Sequence, residues 1–185
     1  TAEVVSTVNE QLLFDYLYSH STSDQEKALL LANQLDNIRS TLYRQTLFAD
    51  FENETHKLVE KGLPLLPDTL CQMYKGLYKI YHGQNFVIDD VLSYEWARIP
   101  HFYRAFYVYQ YATGISAAVS IAKGILSGSQ QAVQNYRTFL TKGGSDYPIE
   151  LLKIAGVDMA QPQPIIDTLN DFQSMLNELK PLLAK

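Results

Sequence analysis

Apolar residues recur along this chain at spacings of three and four, the interval of one helix face, and strand-like alternation is hard to find. Val4, Val8, Leu12, Leu13, Tyr16 and Leu17 form one stripe, which predicts a helix over roughly residues 2–19, with Thr1 already inside it. Ser23-Asp24-Gln25-Glu26 is a capping box, with Ser23 as N-cap and Glu26 reaching back. It opens a run without Gly or Pro from Asp24 to about Lys61, closed by Gly62, Pro64 and Pro67. A further helix is expected over residues 68–81, stopped at His82-Gly83. Residues 84–92 read as a loop with a short extended piece at Phe86, Val87 and Ile88. Pro100 stands at a first-turn position that tolerates it, and the helix it opens is expected to run to about Leu126. Gly128-Ser129, Gly143-Gly144-Ser145 and Pro148 punctuate shorter helices over residues 130–141 and 149–155, and a last amphipathic helix covers 164–183. Without repeats, low-complexity tracts or linkers, the pattern predicts an all-α fold, with residues 1–185 as a single helical unit.

The segment Tyr94 to Gly114 stands out within this pattern. It holds the only tryptophan, Trp96, together with His101, Arg98, Arg104 and five of the thirteen tyrosines. From Ala105 to Ala122 no side chain is charged. A helix apolar or aromatic all round is expected to be buried on every side, yet each buried phenol hydroxyl needs a partner. Such a helix either knits a core through hydrogen bonds or lines a wet cleft. The run is nearly long enough to span a bilayer, but Gln110, Thr113, Gly114, Ser116 and Ser120 dilute it and the tyrosines sit mid-run. It is therefore read as a central helix of a soluble protein.

A chain of 185 residues with 46% hydrophobic content can build one sizeable core. Its net charge of −5, with both signs interspersed, argues against nucleic acid or an anionic membrane as partner. The single cysteine, Cys71, excludes an intrachain disulfide and any cysteine-rich metal site. It fits a reducing, cytoplasmic setting and falls where a small core residue is needed.

Few residue groupings offer chemistry. Glu3 and Glu10 lie seven apart, two helical turns and about 20° from eclipsed, with Ser6 and Thr7 between them. Two carboxylates on one face can ligate or buttress a metal, and the simpler reading is a pair of solvated glutamates. On a helical wheel from His101, Arg104, Val108 and Tyr111 fall within a quarter-turn and Tyr107 at its edge. A histidine and tyrosines converging on a cleft can hold a substrate carbonyl or an oxyanion, or they can be core residues bonded to backbone carbonyls. Arg98 can clamp a carboxylate or pair with Glu95 at helical spacing; the ion pair is the simpler reading. No His-x-x-x-His spacing and no phosphate-binding loop occur in the sequence.

Four blocks carry a resemblance: Ala2-Glu3-Val4-Val5-Ser6-Thr7-Val8-Asn9-Glu10, Arg44-Gln45-Thr46-Leu47-Phe48-Ala49-Asp50-Phe51-Glu52, Tyr94 to Gly114, and Gly143-Gly144-Ser145-Asp146-Tyr147-Pro148. In this order, over essentially the whole chain, they resemble oligoendopeptidase F of the thimet oligopeptidase family of zinc metalloendopeptidases. The resemblance implies a helical part of a peptidase fold with a deep substrate channel, acting on short peptides. It implies Glu3 as the third zinc ligand, and Glu10 as the acidic residue that steadies a zinc-binding histidine. It further implies His101 and a tyrosine among Tyr107, Tyr109 and Tyr111 as groups that hold substrate and stabilise the tetrahedral intermediate; the wheel favours Tyr111, then Tyr107. The family's His-Glu-x-x-His, which supplies two ligands and the general base, is absent from this chain. The chain thus resembles the C-terminal part of such an enzyme and, alone, is expected to hold no zinc, to be inactive, and to self-associate through uncovered apolar surface. The alternative is a non-catalytic helical domain that binds peptide or protein.

Overall fold

A computed structural model describes residues 2–184, the side chain of Ala2 excepted. The expectation that Thr1 is helical lies outside the described residues. The chain is all-helical, with no strand among the described residues, so Phe86–Ile88 is loop rather than extended pairing. In order come α1 (Ala2–His20), α2 (Asp24–Ile38), α3 (Arg44–Glu60), α4 (Pro67–His82), α5 (Tyr109–Leu126), α6 (Gln130–Lys142), α7 (Pro148–Ile154) and α8 (Gln163–Leu183). Between α2 and α3 the expected uninterrupted helix passes through one π turn at Arg39–Tyr43. Its start is the capping box: Ser23 Oγ accepts from the Glu26 N–H at 3.1 Å. The reciprocal bond is made one residue further back, where the Thr22 N–H donates to Glu26 Oε2. Its end is a left-handed Gly62 (φ 72°), with Gly62 N–H donating to Val59 O and Leu63 N–H to Leu58 O. That is the paired C-terminal closure glycine permits.

The described residues divide into two compact units, one of residues 2–39 and 113–184, the other of residues 40–112. In the first, Val4 and Val8 of α1, Ala117, Ala118 and Ile121 of α5, Tyr136 and Phe139 of α6, and Leu151 and Leu152 of α7 make one core. A smaller cluster joins Leu31 and Leu35 of α2 to Leu179 of α8. The small residues Ser116, Ala117 and Ala118 of α5 are fully enclosed.

In the second unit, Leu47, Phe48 and Phe51 of α3 pack on Leu70, Tyr74 and Tyr78 of α4, with Ile99 and Val108 beside them. Cys71 is buried there, as a core residue. Inside this aromatic core lies a carboxylate, Glu95, only 7% exposed. Tyr74 and Tyr78 donate to its Oε2 at 2.7 and 2.8 Å. Arg98 donates to Oε1 at 2.6 Å and Arg44 bonds the same oxygen. The expected Arg98–Glu95 ion pair is therefore present, as one arm of a four-donor cluster. Burial works to raise the Glu95 pKa, but the hydroxyls of Tyr74 and Tyr78 and the Arg44 guanidinium outweigh it and hold it below the ordinary carboxylate range. Burial and the bond to Glu95 push the Tyr78 phenol up to about 12.

The aromatic segment departs from the expected helix. Ile99, ahead of Pro100, is extended (ψ 103°), as a pre-proline residue prefers. Two short 3₁₀ turns, Leu92–Arg98 and Pro100–Tyr103, precede an irregular bend, and regular α-helix begins only at Tyr109. Burial is also partial: Tyr103 is 88% exposed and Tyr109 half-exposed, whereas Val108, Ala112 and Ile115 are enclosed. Within the bend Phe106 takes a left-handed backbone (φ 57°). Its N–H donates to Glu52 Oε1 at 3.0 Å instead of to a helical carbonyl, and its ring packs on His56.

Two outcomes follow from these contacts. Glu95→Ala leaves two phenols and two guanidinium groups without their acceptor, and is expected to cost about 3 kcal/mol in a denaturant melt. That is the low end for a broken buried pair, because both arginines keep some solvent. With the folded pKa of Glu95 depressed, its contribution is present above the unfolded value of about 4.3 and is lost as pH falls through the folded one. The raised Tyr78 pKa makes its contribution complete below about pH 10 and lost as pH rises through about 12. Glu95→Gln is expected to flatten the acid limb of stability against pH. At Phe106, the left-handed backbone reverses the usual order of small residues: Phe106→Gly is expected to be more stable than Phe106→Ala by about 1 kcal/mol, read from denaturation midpoints.

Candidate functional site

The bend from Arg104 to Val108 brings together rings that a continuous helix was expected to align. His101, on the second 3₁₀ turn, stacks on Tyr107 with ring centroids 5.7 Å apart and planes 15° from parallel. Tyr111, in the first turn of α5, meets His101 edge-on at 6.1 Å and Tyr107 edge-on at 5.6 Å. The three rings thus form a triangle in the second unit, each half-buried. The guanidinium of Arg104 lies 5.0 Å from the Tyr107 ring centre, close enough for a cation–π contact. Tyr109, also a candidate in sequence, is outside this triangle and half-exposed. Val108, which the wheel placed beside His101, is instead a fully buried core residue.

Half-burial suits the triangle to chemistry. An imidazole and two phenols carry hydrogen-bond donors, and their rings are held against one another. Fixed donors are what stabilise charge developing on an oxygen, since they need no reorganisation as it forms.

Glu3 and Glu10 belong to the first unit. Both are exposed on α1, and neither carboxylate accepts a hydrogen bond from another described residue. Ser6 and Thr7 hydroxyls do not orient these carboxylates; both donate to the Glu3 backbone carbonyl at 2.9 Å. Among the described residues no three of His, Cys, Asp and Glu converge as a metal-binding group. Two exposed carboxylates on one helix could supply part of a zinc site and not a whole one, since catalytic zinc needs three protein ligands. The remaining histidines are engaged with aromatic rings: His20 with Tyr16, His56 with Phe106, His82 with Tyr78 and Phe86.

Sequence reasoning missed Glu52. It lies on the buried face of α3, one turn from Phe48 and next to Phe51, and is 3% exposed. The signal was a charged residue on an apolar stripe, which a wheel of α3 shows once its stripe is drawn. Among the described residues no helix is long and apolar enough to cross a membrane.

The model of peptidase family M3 matches residues 1–171. The chain is 45% identical over 184 residues to the oligopeptidase PepF of Bacillus subtilis (strain 168), covering all of this chain and 28% of that protein. It is 44% identical over 181 residues to the oligoendopeptidase F homolog of Borreliella burgdorferi, covering 98% of this chain and 31% of that one. The crystal structure of oligoendopeptidase-F from Enterococcus faecium superposes with a TM-score of 0.95 at 43% identity, over 99% of this chain and 35% of its own length. The chain therefore spans about a third of the length of these relatives. Its helices match the helical part of that structure, and the chain belongs to peptidase family M3.

Proposed function

We propose that this chain is the C-terminal part of the catalytic domain of a cytoplasmic, zinc-dependent metalloendopeptidase that hydrolyses short peptides. In this reading Glu3 is the third zinc ligand, and Glu10 steadies a zinc-binding histidine supplied by the remainder of the enzyme. When bound, zinc lowers the pKa of a coordinated water and polarises the scissile carbonyl. This chain's own share of the chemistry lies with the ring triangle. His101 and Tyr111 donate hydrogen bonds to the oxygen on which charge builds, and Tyr107, stacked on the imidazole, fixes its plane. The observation that carries the reading is the convergence of His101, Tyr107 and Tyr111 in a chain of a peptidase family. Without the His-Glu-x-x-His ligands and base, these 185 residues are inactive and hold no zinc alone.

Two variants of the whole enzyme test it. Glu3→Ala is expected to remove the metal itself, so elemental analysis after dialysis should find the zinc content fall well below one per chain; retention of full zinc would refute the ligand assignment. Tyr111→Phe is expected to lower kcat by about 10²–10³ with zinc content and melting temperature nearly unchanged. Were Tyr111 only a packed phenol, the same change would instead cost about 1 kcal/mol of stability and spare kcat.

A further inference from the structure

Glu52 is a buried carboxylate to which the chemistry given to the ring triangle assigns no part. It is 3% exposed. Its Oε1 accepts one hydrogen bond, from the Phe106 N–H at 3.0 Å, and its Oε2 has no partner among the described residues. A carboxylate buried for one bond to a neutral donor adds little to stability, and an apolar side chain of similar size is often neutral or better at such a place. Its use is better sought in what that one bond holds.

Backbone bonds run through the bend in steps of three. Arg104 N–H donates to His101 O at 2.9 Å, Tyr107 N–H to Arg104 O at 3.0 Å, and Gln110 N–H to Tyr107 O at 3.2 Å. The Phe106 N–H stands outside this series and reaches Glu52, 54 positions away. Among the described residues Phe106 is also the only non-glycine residue with a left-handed backbone (φ 57°), a conformation that persists only where surrounding contacts over-determine it. The next residue is Tyr107, whose ring lies 5.7 Å from that of His101 and 15° from parallel, with Tyr111 edge-on to both. A rotation of the Phe106 backbone toward the ordinary helical or extended regions redirects Tyr107 and breaks that stack.

We propose that Glu52 is a positioning residue for peptide hydrolysis: by accepting the Phe106 N–H it fixes the bend that sets Tyr107 against His101, and so aims the imidazole and the Tyr111 hydroxyl. This role rests on the function proposed above for the triangle. Glu52 touches neither substrate nor metal; it acts through the backbone of Phe106 and the ring that follows. What matters is an oxygen at the right reach, so the length of the side chain counts for more than its charge. Misplacing a group by about 1 Å can cost about 10²-fold in rate.

Two variants of the whole enzyme separate reach from charge. Glu52→Asp keeps the charge and draws the oxygens back by about 1.5 Å, one C–C bond; Glu52→Gln keeps an oxygen in place and loses the charge. With zinc content and folded fraction verified, Glu52→Asp is expected to lower kcat at least about tenfold with KM little changed, and Glu52→Gln to keep kcat within about threefold. A merely structural carboxylate would lower the melting temperature of both variants and spare kcat of the folded enzyme. If Glu52 acts through the triangle, its loss should also matter less once the triangle is already impaired: in a Tyr111→Phe background, Glu52→Asp should slow turnover by a clearly smaller factor than in the native enzyme. The proposal is overturned by native kcat in Glu52→Asp, by a Glu52→Gln as slow as Glu52→Asp, or by two losses that multiply independently. Full kcat in Tyr111→Phe itself removes the triangle from the chemistry and this role of Glu52 with it, whereas a slow Tyr111→Phe beside a fast Glu52→Asp removes only the role of Glu52. Should Glu52→Asp fail to fold, a loss of kcat beyond about threefold in Glu52→Gln overturns the proposal alone.

Discussion

Glu95 can lie among aromatic rings only because four side chains from three stretches of chain turn toward it: Arg44 at the head of α3, Tyr74 and Tyr78 one turn apart on α4, and Arg98 three residues on. Moving a carboxylate out of water is unfavourable unless its lone pairs are filled. Here both oxygens are filled, and the two helices and the 3₁₀ turn that supply the donors are thereby fixed in register. The tyrosines on α4 serve two ends at once, since their rings also build the core: Tyr74 meets Phe51 edge-on at 5.3 Å. The segment that follows, with Pro100 and the aromatic block, is therefore anchored at its start by a polar cluster and not by packing alone.

A second carboxylate shapes the other end of that segment. By taking the Phe106 N–H, Glu52 replaces the helical bond that residue would otherwise make, and the backbone there is left-handed. A non-glycine residue seldom adopts that conformation without a compensating contact, and the His56–Phe106 packing at 4.9 Å is a second one. The consequence is local and chemical. The chain turns between Tyr103 and Tyr109, and Tyr107 meets the His101 ring nearly parallel while Tyr111 meets both edge-on.

These two features also mark where the sequence could be read and where it could not. Helices α1 to α4 and α6 to α8 were legible because each carries its own evidence: a 3.6-residue stripe, the Ser23 cap, the Gly62 stop, the prolines at 67 and 148. The bend after Pro100 was not, because it depends on Glu52, more than fifty positions away, and no local pattern announces a long-range hydrogen bond. Only the extended Ile99 ahead of it was foreseeable, since that residue precedes a proline. The helical wheel nonetheless named His101, Tyr107 and Tyr111. A bend in place of helical pitch brings these rings together on a backbone the wheel did not foresee.

The two buried glutamates differ in how far their lone pairs are filled. Glu95 has donors on both oxygens, two of them cationic, and its pKa is held down; it has no accepting capacity left for a ligand. Glu52 has one donor on one oxygen, an unpartnered second oxygen, and a pKa raised by burial. Both sit on apolar faces with similar exposure, so burial alone does not distinguish them. What distinguishes them is the count of donors against lone pairs. A saturated carboxylate is held by its donors, whereas a half-saturated one keeps the cost of an unfilled lone pair.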